Sequence, residues 1–438
     1  MCSILFTTKE VKDKSVTRLL ELRGPDDTTT KVYGGYTFVH NLLSLTGDIT
    51  NQPIERNGII AMHNGEIYNY LDIDDKSTSD IFSIISAYEK YGNEFTKYLD
   101  GEFAIILIDT NLQKILFSTD VFRTKPLFYS LEDGNIGLST FETPLKGIGF
   151  TNVKRALPNT TYVIDLNDGS INTSTIKEFD LNQYKNTYDD WVTAFETSIY
   201  KRAMQSHPNK MFIGLSSGYD SGAIACALNK LDVDNKSYSI YASENRNVID
   251  NRGSLLRDFV PINLSKDDYE YWSKNVKENC EDFISEQYNY NIKNDKASVG
   301  LAYICSLAIK EGRKIYLSGQ GADEIFSDYG MFGRSLYANQ STFSGIFPDY
   351  LKPHFPWKNF FGGTQEMYIA KEEYVAGSFG IETRYPFLDV RVVQEFLWLT
   401  PELKNRYYKS VVYEYLNRNN FPLDINNKIG FQANRGLV

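Results

Sequence analysis

The chain has 438 residues, 42% of them hydrophobic and 14% aromatic, which is enough apolar material for two or three packed domains. A formal charge of -10 without any run of Lys and Arg excludes the electropositive surface that nucleic-acid binding needs, so the expected partners are small molecules, with no nucleic acid. No apolar segment approaches the roughly 20 residues that span a bilayer, and the N-terminus lacks a basic flank and cleavage site, so no membrane association and a cytoplasmic location are expected.

From Met1 to about Asp168 the chain is β-rich, with short alternating runs at Gly34 to Val39, Gly58 to Met62, Phe103 to Ile108 and Lys114 to Ser118. One helix, Ser79 to Tyr91, interrupts them. The composition turns polar from Gly169 to Tyr188, the expected linker between a domain over 1–168 and another over 189–438. The second half then alternates: a helix from about Asp189 to Gln205, a strand at Met211 to Ile213, a helix carrying Ile224, Cys226, Ala227 and Leu228, and a strand at Ser237 to Ala242. A helix at Ser298 to Lys310 precedes a strand at Lys314 to Leu317, and this alternation predicts a parallel sheet flanked by helices. The aromatic stretch Tyr329 to Gly363 has no clear period and reads as a long segment covering a site. The charged run Lys266 to Glu270 reads as a solvated face. Four cysteines (Cys2, Cys226, Cys280, Cys305) are too dispersed for zinc and too few for a disulfide framework, and Cys226 and Cys305 sit in apolar helical runs as core residues.

Two places carry chemistry. In Gly214-Leu215-Ser216-Ser217-Gly218-Tyr219-Asp220-Ser221-Gly222, small residues between a strand and a helix let the backbone approach a ligand, and the helix start offers unpaired N–H groups suited to a phosphate. The run resembles the pyrophosphate loop, Ser-Gly-Gly-x-Asp-Ser, of enzymes that split ATP between its α and β phosphates, with Ser217 at a usual Gly. The other place is Cys2. Loss of Met1 would leave one residue with a thiol and a free α-amine, whose reference pKa values of about 8.5 and about 8 let the amine act as the thiol's base near neutrality.

Around Cys2, the segments Arg23-Gly24-Pro25-Asp26, Gln52-Pro53, His63-Asn64-Gly65-Glu66-Ile67-Tyr68-Asn69, Ser79-Asp80, Asp100-Gly101-Glu102-Phe103-Ala104 and Lys125-Pro126-Leu127-Phe128-Tyr129 follow the order and spacing of the class II glutamine amidotransferase domain. In the second half, Ser318-Gly319-Gln320-Gly321-Ala322-Asp323-Glu324, Glu382-Thr383-Arg384-Tyr385-Pro386-Phe387-Leu388-Asp389 and Lys428-Ile429-Gly430-Phe431 resemble motifs of the asparagine synthetases. The resemblance covers nearly the whole chain. It implies an α+β N-terminal-nucleophile domain, two stacked antiparallel sheets between helices, followed by an α/β parallel-sheet synthetase domain, and it admits a homodimer. It also implies that Cys2 attacks the glutamine amide while Asn64 and the Gly65 N–H stabilise the oxyanion. Glutamine would lie against Leu45, Thr46, Asn64, Gly65, Glu66 and Asp80, with Glu66 and Asp80 on its α-amino group. ATP, the co-substrate, would lie against Leu215, Ser216, Ser217, Gly218, Asp220, Ser221, Ile240, Ser318 and Gly319. Asp220 and Asp323 would hold Mg²⁺, and Gln320 and Lys428 would complete the catalytic set, Lys428 neutralising charge at the α-phosphate.

Three departures stand out. Leu42 replaces an Arg that pairs with the α-carboxylate of glutamine, a role left to His40, Asn41 or backbone N–H groups near Thr46; for His40 the plain alternative is a hydrogen-bonded structural imidazole. Gln320 replaces an acidic residue, and Lys296 lies near an Arg used on the acceptor. The expected reaction is glutamine hydrolysis at Cys2, internal passage of ammonia and its capture by an adenylated carboxylate, aspartate by default, a sugar uronate or peptide as the alternative. A non-hydrolysing amide-forming relative and a binding pseudoenzyme are the competing classes; Cys2 with Asn64, Gly65 and Asp80 argues against the first, Asp220 with Asp323 against the second.

Overall fold

The alternating runs of the first half pair into two six-stranded antiparallel sheets. In the computed structural model, which describes residues 1–204, 210–242, 244–336 and 341–424, the chain folds into two compact units. The first is built mainly from Met1–Glu178, together with Gly377–Glu382.

One sheet of this unit runs in the order Lys154–Arg155, Phe128–Glu132, Asn135–Ser139, Ser3–Thr7, Tyr36–Leu42, Asp27–Tyr33. The other runs Ile171–Thr175, Thr160–Asp165, Lys114–Thr119, Gly101–Asp109, Ile59–Ile67, Ile54–Arg56. Alternate residues of a strand face opposite sides, so Ile4, Phe6 and Phe38 of the first sheet meet Ile60, Met62, Ile106 and Phe117 of the second in one apolar layer. The far side of the second sheet, with Ala61, Ile105 and Leu107, packs on Ile81, Ile84, Ile85 and Tyr88 of the helix Asp80–Tyr91. This is the stacked-sheet fold expected of the first half. Two strand boundaries differ from the sequence reading. Gly34 and Gly35, at φ of +55° and +87°, form the hairpin turn itself, so the strand begins at Tyr36 and its partner is the Thr-rich run Asp27–Tyr33. The strand expected at Gly58 to Met62 runs on to Ile67 and carries the whole His63 to Ile67 motif. The polar stretch 169–188, read as linker, contains the strand Ile171–Thr175; it lies at a sheet edge with Ile171, Asn172, Thr173 and Thr175 exposed, and an edge strand open to water reads as a loop by composition.

The second unit holds a five-stranded sheet in the order Phe259–Ile262, Asn235–Ile240, Lys210–Gly214, Arg313–Leu317, Glu382–Arg384, and the pairs among the first four strands are parallel. The helices Tyr219–Lys230 and Lys296–Lys310 follow and precede its central strands, as the alternation predicted. Chain order runs outward from Lys210–Gly214 to one side and then jumps to Arg313–Leu317 on the other. Such a reversal opens a crevice beyond the carboxyl ends of the two strands, where ligands bind in open α/β sheets. The stretch Tyr329 to Gly363, read as a covering segment, holds a packed aromatic cluster among its described residues: Trp357 contacts Phe343, Phe347 and Phe360 edge-on, and its Nε1 donates to Glu324 O at 2.8 Å.

The intersheet layer of the first unit depends on Phe117, 1% exposed, which stacks on Tyr162 at 4.4 Å between ring centroids. Phe117→Ala is expected to cost about 3–5 kcal/mol, read as a shift of the first unit's transition in urea. A loss below about 1 kcal/mol would mean that the layer collapses around the gap.

Candidate active site

In the first unit the side-chain alternation that builds the apolar layer also decides what lies at its end. Cys2 precedes Ile4 and Phe6 on the same face, His40 and Leu42 follow Phe38, and Asn64 and Glu66 follow Ile60 and Met62. Polar groups from both sheets thus share the rim of one core. The Leu43 N–H donates to Cys2 Sγ at 3.4 Å. Burial pushes the Cys2 thiol up to about 12; the N-terminal ammonium and the Leu43 N–H pull it back, while Glu382 and Asp80 add to the rise. Asn64 is fully buried, and among the described residues neither its Nδ2 nor its Oδ1 has a hydrogen-bond partner. An unsatisfied buried amide costs about 1–3 kcal/mol for each group left unpaired, a cost that a polar ligand would remove. Gly65 has φ +123°, and a Cβ there would stand 1.9 Å from Glu102 O, so no other residue fits.

Asp80 opens its helix and accepts from His63 Nε2 at 3.0 Å and from the Ile67 N–H at 3.1 Å. Burial and then the charges of Asp80 and Glu66 push the Tyr70 hydroxyl up, so both carboxylates act on one space. Thr46 Oγ1 is buried without a partner among the described residues, and Leu45 is buried beside it in the chain. Of the substitutes for the missing Arg, Asn41 is engaged: its Nδ2 donates to Thr28 Oγ1 and its Oδ1 accepts from Ser3 Oγ. Among the described residues neither ring nitrogen of His40 makes a hydrogen bond of ordinary geometry, although the His63 backbone acts on the buried ring. Burial, reinforced by His63, pushes it down to about 3, so it is neutral and cannot replace a guanidinium charge.

In the second unit the crevice at the strand reversal is formed by two loops. Leu215 is pinned to the sheet by its N–H to Tyr238 O at 2.7 Å, and Ile240 is buried in the neighbouring strand. Ser221 Oγ accepts from the Ser216 N–H at 3.0 Å, and Ser216 Oγ accepts from the Gly218 N–H at 3.1 Å. The Ser217 N–H and hydroxyl both donate to Glu244 Oε2, at 2.8 and 2.5 Å, which gives the Ser in place of Gly a partner from another element. Arg252 closes the loop from beneath, its Nη1 donating to Ser216 O and Gly218 O at 2.5 and 2.8 Å, and Gly222 leaves room for it: a Cβ there would stand 2.5 Å from the guanidinium carbon. The second loop is held by the Ser318 N–H to Arg384 O, and Gly319 lies where a Cβ would come within 2.9 Å of Asp220 Cβ.

Between the loops sits a cation that the sequence motifs did not reveal. Lys409 Nζ lies 2.7 Å from Asp220 Oδ2 and 2.8 Å from Asp323 Oδ1, and the Tyr408 hydroxyl also donates to Asp323 at 2.9 Å. Burial pulls the ammonium down, but Asp220 and Asp323 override it and hold Lys409 above the ordinary lysine range. Lys409 has φ +47° and precedes the helix Ser410–Arg418, where a cation opposes the helix dipole. That misplaced charge was the available signal.

The sequence of residues 1–158 matches the glutamine amidotransferase domain model, and residues 192–372 match the asparagine synthase model. The chain thus carries a glutamine amidotransferase domain followed by an asparagine synthase domain. It is 26% identical, over 90% of its length and 76% of the relative, to a protein of Methanocaldococcus jannaschii named as a candidate glutamine-hydrolysing asparagine synthetase. It is 25% identical, over 92% of its length and 69% of the relative, to glutamine-hydrolysing asparagine synthetase 2 of Lotus japonicus. Superposition on glutamine phosphoribosylpyrophosphate amidotransferase from B. subtilis gives a TM-score of 0.34 at 11% identity, covering 90% of this chain and 92% of that one.

Within this asparagine synthase frame, Asp220 and Asp323 converge on one ammonium, and Ser318 with Gly319 lies against the Asp220 loop. Gln320 is tied to Glu372, its Nε2 3.3 Å from Oε1. Lys296 is exposed in the first turn of its helix. Lys428 lies outside the described residues. Glu244, Arg252, Glu372 and Lys409 were not legible in the motifs because each enters from an element remote in sequence.

These charges make the stability of each unit sensitive to pH and to substitution. His40 titrates near 6.5 when unfolded and is held down to about 3 when folded, so the stability it contributes above the unfolded value is lost as pH falls through that window. Urea midpoints of wild type should therefore drop more steeply than those of His40→Gln between about pH 6 and 4, and parallel curves would show that the imidazole is paired. Removing the ammonium leaves two carboxylates facing one another: Lys409→Met should cost about 2–4 kcal/mol, and Asp323→Asn in the same chain should recover part of it. Additive losses, measured by thermal unfolding, would show that the three groups are not coupled.

Proposed function

We propose that the chain is a glutamine-dependent, ATP-dependent amide ligase that makes an amide, AMP and pyrophosphate. The reading is carried by one observation: Asp220, Asp323 and Lys409 meet at the strand reversal, beside a Ser216–Ser221 loop. Lys409 is placed to neutralise charge on the phosphates as the acceptor carboxylate attacks the α-phosphate, and the loop N–H groups at Ser216 to Gly218 line the same crevice. In the first unit the Cys2 thiol attacks the glutamine amide, and the unpartnered Asn64 amide with the Gly65 N–H supplies the oxyanion donors. Glu66 and Asp80 hold the substrate's ammonium. The thiol is kept protonated when the Cys2 nitrogen is part of a peptide bond, so this chemistry requires loss of Met1 and a free Cys2 amine as base.

Asp220 and Asp323 have the hard oxygen donors that suit Mg²⁺, and they are the residues that would hold it. Bound there, the metal would neutralise the pyrophosphate leaving group. Aspartate is the default acceptor, in keeping with the names of the relatives. Gln320 and the exposed Lys296 are the positions that make a uronate or peptide carboxylate the alternative. A pyrophosphate-release assay with glutamine or ammonia across these carboxylates decides among them. Release of ADP and phosphate would overturn the reading.

Cys2→Ala should abolish amide formation from glutamine, at least about 1,000-fold, while ammonia-dependent synthesis changes less than about threefold, because each half-reaction has its own residues. Retained glutamine-dependent turnover would remove Cys2 as nucleophile.

A further inference from the structure

Gln320 stands where an acidic residue is expected, and a carboxylate reaches it from another element. The helix Thr364–Gly377 carries Lys371, Glu372 and Glu373 in succession, only 8, 5 and 0% exposed. Charged side chains are almost never buried so deeply without partners. Lys371 lies 3.7 Å from Asp295, and Glu373 accepts from the Tyr385 hydroxyl at 3.2 Å. Glu372 is placed differently. Its Oε1 accepts from Gln320 Nε2 at 3.3 Å, while its Oε2 is buried without a hydrogen-bond partner among the described residues. One oxygen is therefore fixed and the other unengaged, next to the loop that leaves the carboxyl end of the strand Arg313–Leu317.

We propose that Glu372 is the general base of the amide-forming step, supplying from the helix the carboxylate that the Ser318–Gly321 loop lacks. The proposal rests on the amidation reading above. As ammonia attacks, its lone pair forms the C–N bond to the acyl carbon of the adenylate. The surplus proton on nitrogen passes to Glu372 Oε2, and the C–O bond to AMP breaks with its electron pair leaving on the phosphate. Ammonia and acyl adenylate thus give amide, AMP and one proton, which Glu372 returns to water. Gln320 cannot take this proton, but its amide holds Oε1 and so leaves Oε2 as the basic oxygen. Burial pushes the Glu372 carboxyl up to about 7, against the pull of Lys371, Ser318 and Gln320, and a base is most effective when its pKa lies near the working pH. The other groups facing it are Glu373 on its own helix, Tyr316 on the strand and Cys305 on the helix Lys296–Lys310.

The test is Glu372→Gln, which keeps the shape of the side chain. Acceptor-dependent ATP–pyrophosphate exchange and glutamine hydrolysis should stay within about threefold of wild type, while amide formation from ammonia falls about 100- to 1,000-fold and loses its acid limb near neutrality. Hydroxylamine, which sheds its proton without help, should be impaired far less than ammonia. Gln320→Glu in the Glu372→Gln chain returns a carboxylate to the loop and should recover at least about tenfold of the loss. Amide formation at the wild-type rate, an equal fall in exchange and amide formation, equal impairment with hydroxylamine, or no recovery in the double variant would each overturn the proposal. If wild type shows no carboxylate-dependent exchange, the amidation reading itself fails and takes the proposal with it.

Discussion

The second unit turns on one ammonium held between two carboxylates. Desolvating Lys409, Asp220 and Asp323 is expensive, and their mutual attraction does little more than offset it, so such a cluster adds little net stability over an apolar one. Its value lies in what it fixes. Asp220 belongs to the first turn of one helix, Asp323 to the first turn of another, and Lys409 stands at the start of a third. Pairing them sets three helix starts around the crevice at the strand reversal. Positive charge is thereby stored where anionic phosphates would otherwise meet two carboxylates.

The first unit solves the opposite problem, keeping polar groups ready inside an apolar layer. Among the described residues, Asn64, His40 and Thr46 all carry buried atoms without a hydrogen-bond partner of ordinary geometry. Each lowers stability, and the apolar layer of Ile4, Phe6, Phe38, Ile106 and Phe117 is what the unit sets against that loss. His40 shows the limit of the arrangement: buried this deeply, the imidazole is neutral and can offer a hydrogen bond but no charge.

The departures from the family pattern share a physical theme. Where Ser217 adds a hydroxyl to the phosphate loop, Glu244 receives it; where Gln320 removes a carboxylate, Glu372 approaches from a helix. At Leu42 no cation takes the place of the missing Arg among the groups considered, since Asn41 is tied to Thr28 and Ser3 and His40 is neutral. Compensation is possible where a neighbouring element already faces the altered position, as it does at Ser217 and Gln320.

Period-two alternation marked the first half as β-rich and helix–strand alternation gave the second its parallel sheet, because both depend only on neighbours in sequence, while the stacked-sheet class of the first half came from the family resemblance of its motifs. The same locality placed Cys2, Asn64, Gly65 and Asp80 in one half and the Ser216 loop with Asp220 and Asp323 in the other. It failed where composition and structure diverge, as at the edge strand Ile171–Thr175, whose polar residues face water. Only the tertiary structure decided the partners. Lys409, Glu244, Arg252 and Glu372 reach their sites from 27 to 189 residues away, and such contacts are set by strand order and helix packing, which no local pattern encodes.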